Sequence, residues 1–366
     1  MKKVMIYAYM EENLGDDLMV SLVCARYPDV KFFLWAKESY KERFRGIKNL
    51  TVYSPDEKKV VRWNKIAEKL RPGKADVFQL LVKKTDALVH VGGSVYIQHD
   101  NYLMTYHLDM ALRSMSKRMY TCGANFGPYT DEEYYRNYYE LLKRYDGVCF
   151  RDQYSYQLFA DLPHVHYAAD LVFNLRDNGK EAPGQKKQVL MSVIQLKNRD
   201  GKFSLSQYTE TYNQFMAGLA EQYMERGYQV KMVSFCSSQG DAEAAEAIIQ
   251  LIKEPFREQV SVYSYSMDIE ECLRLFDESE IIVGTRFHSI ILGWLKKKQV
   301  LPIVYDTKTM HLLEDNDYGT YVTMEQMKDA DLDELIGNVQ MLPEQRLQKL
   351  VQEAEGQFEE LDKLLK

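Results

Sequence analysis

No run in this chain approaches the twenty or so apolar residues that a membrane-spanning helix needs. The opening "MKKVMIYAYMEENLGDD" lacks the longer apolar region and small-residue cleavage site of a secretory leader, so it reads as a first β-strand. Glycine and proline are scarce, at 19 and 9 of 366 residues, and there is no low-complexity tract or internal repeat. The five cysteines, Cys24, Cys122, Cys149, Cys236 and Cys272, are odd in number, widely spaced and form no C-x-x-C. That excludes a disulfide framework and a thiolate zinc site, and points to buried free thiols in a reducing, cytosolic compartment. There is no excess of positive charge. The net charge of -7 excludes a broadly basic nucleic-acid-binding face, although it leaves room for a local basic pocket. G-x-G-x-x-G and the P-loop are both missing, so a nucleotide site is not licensed by motif.

What is present is a regular alternation. "KVMIYAY", "VKFFLWA", "NLTVYS", "DALVHVGG", "KRMYTCGA" and "GVCFRD" read as strands, separated by helical patterns such as "DDLMVSLVCARY", "VVRWNKIAEKL" and "EEYYRNYYELLKRY". A second series follows with "QVLMSVIQ", "QVKMVSFC", "VSVYSYS", "EIIVGT" and "QVLPIVY". Strands alternating with helices imply parallel sheets covered on both faces. The fold class is therefore α/β, with two Rossmann-like domains whose sheets face a cleft. The expected divisions are an N-terminal domain at 1–175, a polar linker at 176–188, a C-terminal domain at 189–325, and helices at 326–366 that pack across the domains. Leu347, Leu350, Val351, Ala354, Phe358 and Leu361 carry the helical spacing of that last segment.

Ligands of open α/β sheets collect beyond the C-terminal ends of the strands. The first such loop holds Asn13, Gly15, Asp16 and Asp17; the carboxylates suit either a sugar hydroxyl or a helix cap. The fourth holds Gly92, Gly93 and Ser94, and His90 just before them reads as a packed core residue. "CGANFGPY" supplies turn glycines. "CFRDQYS" supplies Arg151 and Asp152, either a charged pair at a site or a surface cation beside a helix cap. His164 and His166 form an H-x-H with no convincing third ligand, and Asp170 follows them. Among the described motifs, "EIIVGTRFHSIILGWL" is the most informative. A strand buried on both faces ends in Arg286 and His288, and Ser289 opens a helix. An anion there would meet a helix N-terminus and a guanidinium, beside an imidazole that titrates near neutrality. Lys308, after the next strand, adds charge from an adjacent loop.

Taken in order, "NLGDD", "HVGGS", "CGANFGP", "FRDQYS" and "GTRFHS" resemble the polysaccharide pyruvyl transferase family. Ser94 stands where the family has a third glycine, and "GANFGP" replaces its commoner G-x-G-I-G-P form. The resemblance implies a two-domain fold like the GT-B glycosyltransferases. It also implies transfer of pyruvate from phosphoenolpyruvate to two hydroxyls of one sugar, closing a cyclic ketal. By the R-x-H and R-D motifs, the donor would be served by Arg286, His288 and Arg151, with Ser289 and Lys308 beside them. His288 and Arg286 would be catalytic, and Asn13, Asp16, Gly93 and Ser94 would meet the acceptor. No cofactor and no metal are expected; phosphoenolpyruvate is a substrate. The acceptor would be a sugar of a cell-surface polysaccharide or its precursor, lipid-linked or polymeric, met in the cytoplasm or at the inner membrane face. Two alternatives stay open on sequence: a GT-B glycosyltransferase using a nucleotide sugar, and a non-catalytic glycan-binding protein.

Overall fold

The computed structural model describes every residue except 71–75, 177–183, 185, 198 and 200, and the side chains of Glu68 and Leu70. The chain forms two compact units. The N-terminal unit comprises Met1–Met10, Asp16–Asn174 and Glu353–Lys366, and the C-terminal unit comprises Glu11–Gly15 and Leu175–Gln352.

Seven parallel strands build the N-terminal sheet: β1 (Lys3–Ala8), β2 (Lys31–Trp35), β3 (Leu50–Tyr53), β4 (Ala87–Val91), β5 (Met119–Ala124), β6 (Gly147–Phe150) and β7 (Val165–Tyr167). Their order is β3-β2-β1-β4-β5-β6-β7. The direction of winding reverses between β1 and β4, whose residues pair from Val4 with Ala87 to Ala8 with Val91. In the C-terminal unit, β8 (Gln188–Ser192), β9 (Gln229–Ser234), β10 (Ser261–Ser264), β11 (Ile281–Gly284), β12 (Gln299–Val304) and β13 (Val322–Thr323) lie in the order β10-β9-β8-β11-β12-β13. A short β14 (Gln340–Met341) joins β12 antiparallel. Here the winding reverses between β8 and β11. Such reversals open a crevice at the strand C-termini, where neighbouring connections leave in opposite directions. Three of the expected motifs follow strands at these reversals, β1, β4 and β11, whereas Arg151 follows β6 and Lys308 follows β12.

The sequence explains why these strands are central. β4, β5, β6, β8 and β11 are buried at every residue, as their continuous apolar runs require for strands covered on both faces. All five cysteines are buried free thiols. Among the described residues, no helix is long and apolar enough to cross a membrane.

The expected boundaries shift in three places. Most of the expected linker lies outside the described residues, and Gln188 already opens β8. The last of the expected C-terminal helices, Glu344–Ala354 and Glu359–Leu365, are separated by a 3-10 turn, Glu355–Phe358. This segment divides between the units at Gln352 and Glu353. Gln357 holds the last part to the N-terminal sheet. Its side-chain oxygen accepts from Gly123 N at 2.8 Å, and its Nε2 donates to the carbonyls of Ala168 and Ala169 at 3.0 and 3.1 Å.

The N-terminal core contains a polar group that its aromatic packing does not satisfy. His90 packs 4.6 Å from Tyr7 and 5.8 Å from Tyr96, as its place in the strand predicts. Asp109, on the helix Tyr102–Met115, is fully buried near Tyr96, Tyr138 and Tyr145, and neither carboxylate oxygen has a hydrogen-bond partner among the described residues. Burial pushes its carboxyl up to about 7 and holds His90 neutral by lowering it to about 3. The folded chain keeps the Asp109 proton up to about pH 7, whereas the unfolded chain releases it near pH ~3.9. Between those limits the folded state holds this proton more tightly, so the Asp109 contribution to stability falls as pH rises. Asp109→Asn is expected to flatten this slope and to stabilise the protein above pH 7 by on the order of 4 kcal/mol. Denaturant melts of both proteins from about pH 5 to 8 check it; a difference that does not change with pH contradicts it.

Candidate active site

In the C-terminal unit, Ser192 ends β8 and its hydroxyl accepts from the backbone N–H groups of Thr285 and Arg286 at 2.9 and 3.0 Å. The turn after β11 is thereby pinned to the end of β8, and Arg286 becomes the N-cap residue of the helix Phe287–Leu295. The Arg286 side chain makes no capping hydrogen bond to this helix, and the first turn contains no acid. The helices after β6, β10 and β12 instead carry a carboxylate cap, from Asp152, Asp268 and Asp306. A helix N-terminus with no acid in its first turn presents its positive dipole end, the feature that favours an anion.

Arg286 is itself buried. Its Nε donates to Asp241 Oδ2 at 2.8 Å, one terminal nitrogen donates to Asp241 Oδ1, and the other to Gln239 Oε1 at 2.7 Å. Asp241 also accepts from the backbone N–H groups of Phe235 and Cys236 at 3.2 and 3.1 Å. Burial alone would lower the guanidinium pKa, but the paired carboxylate outweighs it and raises the value. Arg286 is therefore always charged and rigidly aimed. These bonds use three of its five N–H donors, which leaves a forked cation with donors to spend on a ligand.

Two further cations come from after β8 and β12, Lys308 in the first turn of the helix Thr307–Asp315. Lys308 lies 6.0 Å from the ring of Phe287 and 5.6 Å from that of Tyr305, and pairs with Asp306 at 2.9 Å. Burial raises the Asp306 carboxyl, but Lys308 and the Thr309 hydrogen bonds override it and leave the pKa below its usual value. The guanidinium of Arg199 lies 5.5 Å from the Tyr305 ring and donates to Gln239 at 3.2 Å. Arg199, Arg286 and Lys308 thus surround Tyr305 and Gln239, against two carboxylates that hold two of them in place.

His288 sits in the first turn of the same helix, against an unexpected neighbour. The loop Glu11–Gly15 belongs to this unit, not to the one that contains the strand before it. Leu14 N donates to Phe235 O at 3.3 Å, Asn13 bridges to Cys236, and Ser238 Oγ donates to Glu11 O at 2.9 Å. Asn13 Oδ1 accepts from Gly15 N at 2.9 Å, and Glu12 takes a left-handed φ of 60°. The loop lays Gly15 on the imidazole: a Cβ there would fall 1.8 Å from His288 Nδ1. Only glycine lets the backbone come this close.

The N-terminal unit assembles the other expected residues. Asp16 and Asp17 part company: Asp17 is buried 3.3 Å from Arg43, while Asp16 is half-buried, with Oδ1 3.8 Å from the position of a Cβ on Gly92. Ser94 is half-buried after the glycine pair. Arg151 donates to Asp170 at 2.8 Å and to Asn125 Oδ1 at 2.7 Å. A Cβ on Gly93 would lie 2.5 Å from the Arg151 guanidinium, so this glycine too is required by close approach.

Several of the expected residues have partners inside the protein. Ser289, expected to meet the donor, is buried with its hydroxyl bonded to Ser192 Oγ at 2.7 Å and to the Arg286 carbonyl; it braces the turn. Asn13, expected at the acceptor, shapes the loop against His288. Arg151 is not an exposed cation, because Asp170 pairs with it in the interior. Asp152 takes the capping alternative, accepting from Ser155 N at 2.7 Å. Asp241, Gln239, Arg199 and Tyr305 had no place among the expected residues. Each follows a strand or strand-end loop, so the rule that selected Arg286 would also have selected them if extended to β8, β9 and β12.

The H-x-H pair does not converge. His164 Nε2 meets the Leu142 carbonyl at 2.9 Å, while His166 Nε2 lies 2.7 Å from Glu360. His166, Glu359 and Glu360 could offer three ligand atoms to a metal, but Lys363 already lies 2.7 Å from Glu360 and 3.4 Å from Glu359. An ammonium fills the place of a cation there. We expect chelation to leave turnover unchanged; loss of activity restored by one divalent ion would contradict this.

The polysaccharide pyruvyl transferase family model matches residues 13–307, from the loop that carries Gly15 to the start of the helix that carries Lys308. This chain belongs to that family. It is 23% identical over 251 residues to the amylovoran biosynthesis protein AmsJ of Erwinia amylovora; the match covers 64% of this chain and only 60% of AmsJ. Solved structures agree on the fold alone. Anabaena HepE with UDP and glucose matches with a TM-score of 0.54 at 12% identity, over 98% of this chain and 95% of that one. S. aureus MnaA with UDP matches with a TM-score of 0.58 at 11% identity, over 100% of this chain and 95% of that one. The chain has the expected GT-B-like pair of parallel-sheet domains.

Proposed function

We propose that this pyruvyl transferase moves pyruvate from phosphoenolpyruvate to two hydroxyls of one sugar in an exopolysaccharide or its precursor. The observation that carries the reading is the convergence of Arg286, Lys308 and His288 at the N-terminus of the helix Phe287–Leu295 in a member of this family. Phosphoenolpyruvate carries a phosphate and a carboxylate on three carbons, so it needs several cations within a small space. Arg286 offers a pre-aimed fork for one group, and Lys308 with Arg199 offers charge for the other. In the reaction a proton goes to the methylene carbon while a sugar hydroxyl adds to the neighbouring carbon. Inorganic phosphate then leaves with the electron pair of its C–O bond. The second hydroxyl adds to the same carbon and loses its proton, closing the ketal. We assign His288 the transfer of one of these protons. In the N-terminal unit, Asp16 with the Gly93–Ser94 turn is our assignment for acceptor hydroxyls.

Binding of the donor to the native state alone should stabilise the protein by RT ln(1 + [L]/Kd), about 2.7 kcal/mol at a hundredfold excess over Kd. Phosphoenolpyruvate is expected to raise the melting temperature more than equimolar inorganic phosphate does, and UDP-sugars are expected to leave it unchanged. A larger shift with a UDP-sugar than with phosphoenolpyruvate would overturn the assignment in favour of a nucleotide-sugar donor.

A further inference from the structure

The helix Lys58–Leu70 lies far along the chain from every residue assigned above, and its exposed face is unusual. Its inward side is Val60, Asn64 and Ala67; Asn64 Oδ1 accepts from Val77 N at 2.9 Å and ties on the next helix, Val77–Lys84. Fold stability does not require apolar residues on the outer side, yet Trp63 is 63% exposed and Ile66 39% exposed, one turn apart. Beside them run Arg62, Lys65 and Lys69, with Lys58 and Lys59 at the start. The helix sequence carries these five cations against one acid, Glu68, in a protein of net charge -7. Among the described residues, no carboxylate pairs with any of the five. The next helix repeats the combination on one face: Leu80 is 40% exposed, with Lys83 and Lys84 exposed one turn later.

We propose that this helix pair is a docking surface for an anionic lipid bilayer. An amphipathic helix with cations flanking an apolar stripe lies in the membrane interface, its apolar side chains among the acyl chains and its cations on the headgroups. Tryptophan suits that depth because its ring is apolar and its N–H is wet. Charge selects the occupant: the rest of the protein is acidic and is repelled by an anionic surface, so only a concentrated cationic face can hold it there. The inference does not depend on the proposed reaction.

The test is co-sedimentation of the full chain with vesicles of phosphatidylcholine, alone or with about one-third phosphatidylglycerol. Binding is expected only to the anionic vesicles, weakening as salt is raised, with a blue shift in tryptophan emission that is absent in Trp63→Phe. Arg62→Glu with Lys65→Glu should weaken binding more than about twentyfold, roughly fivefold for each cation removed. Trp63→Ser with Ile66→Ser should weaken it at least about tenfold. Both pairs are exposed, so melting curves should match the parent. No binding, equal binding to both vesicle types, or parental binding by either variant overturns the proposal; the first of these would point to a protein partner.

Discussion

His288→Gln is expected to fold like the parent and to lose roughly 10²–10⁴-fold in turnover, the usual worth of a positioned acid or base. Glutamine keeps approximate size and polarity but cannot exchange a proton near neutrality. The loss should appear in kcat, with the KM for phosphoenolpyruvate little changed, because the anion-holding groups are Arg286 and Lys308. A second substitution reaches the same imidazole without touching it. The Cβ of Gly15→Ala would have to occupy space 1.8 Å from His288 Nδ1, so either the ring or the loop must move. Most of the kcat loss should recur in Gly15→Ala although no titratable group is removed. Near-parental turnover in His288→Gln would remove this residue from the reaction.

The other large effect falls on Arg286, where binding and stability are linked through Asp241. Arg286→Ala leaves the buried Asp241 carboxylate with only its two backbone N–H donors. Breaking a buried pair from one side costs about 3–5 kcal/mol, or a drop in melting temperature of roughly 6–20 °C in a domain of this size. The melting shift given by phosphoenolpyruvate should vanish as well. Removing the stranded charge in Arg286→Ala with Asp241→Ala should recover part of the stability and none of the donor response. Arg286→Lys separates the two consequences. The ammonium keeps Asp241 paired, so stability changes little, but the fork is lost and the KM for the donor rises. If Arg286→Ala melts like the parent and keeps its donor shift, neither role stands.

These residues also mark what the sequence could and could not tell. The strands were legible because strands covered on both faces must be apolar at every position, and "LVHV", "VCF" and "IIVG" have no other economical reading. The Arg286–His288 turn was legible because polar residues directly after such a strand have one place to be. Its partners were not. Asp241 lies 45 residues before Arg286 in the chain, and only the order β9-β8-β11 brings the two strand ends near each other. The loop Glu11–Gly15 misleads in the same way. By sequence it continues β1, but its hydrogen bonds run to Glu11–Gly15's own unit at Phe235, Cys236 and Ser238. Direction was also hidden. A serine near a helix start reads as a ligand whether its hydroxyl points outward or, as in Ser289, back to Ser192. A glycine pair reads as a turn, with no sign that Gly93 is small because the Arg151 guanidinium lies against it. The break in the C-terminal segment is signalled only by Gly356, within a pattern that otherwise keeps helical spacing through Leu361.

The most direct test of the central claim is the mass of the product formed from a panel of exopolysaccharide sugars, offered phosphoenolpyruvate and UDP-sugars together. The account predicts an acceptor heavier by one pyruvate less one water, with one inorganic phosphate released per product and the UDP-sugars untouched. An acceptor heavier by a sugar residue, with UDP released and phosphoenolpyruvate unconsumed, would contradict it.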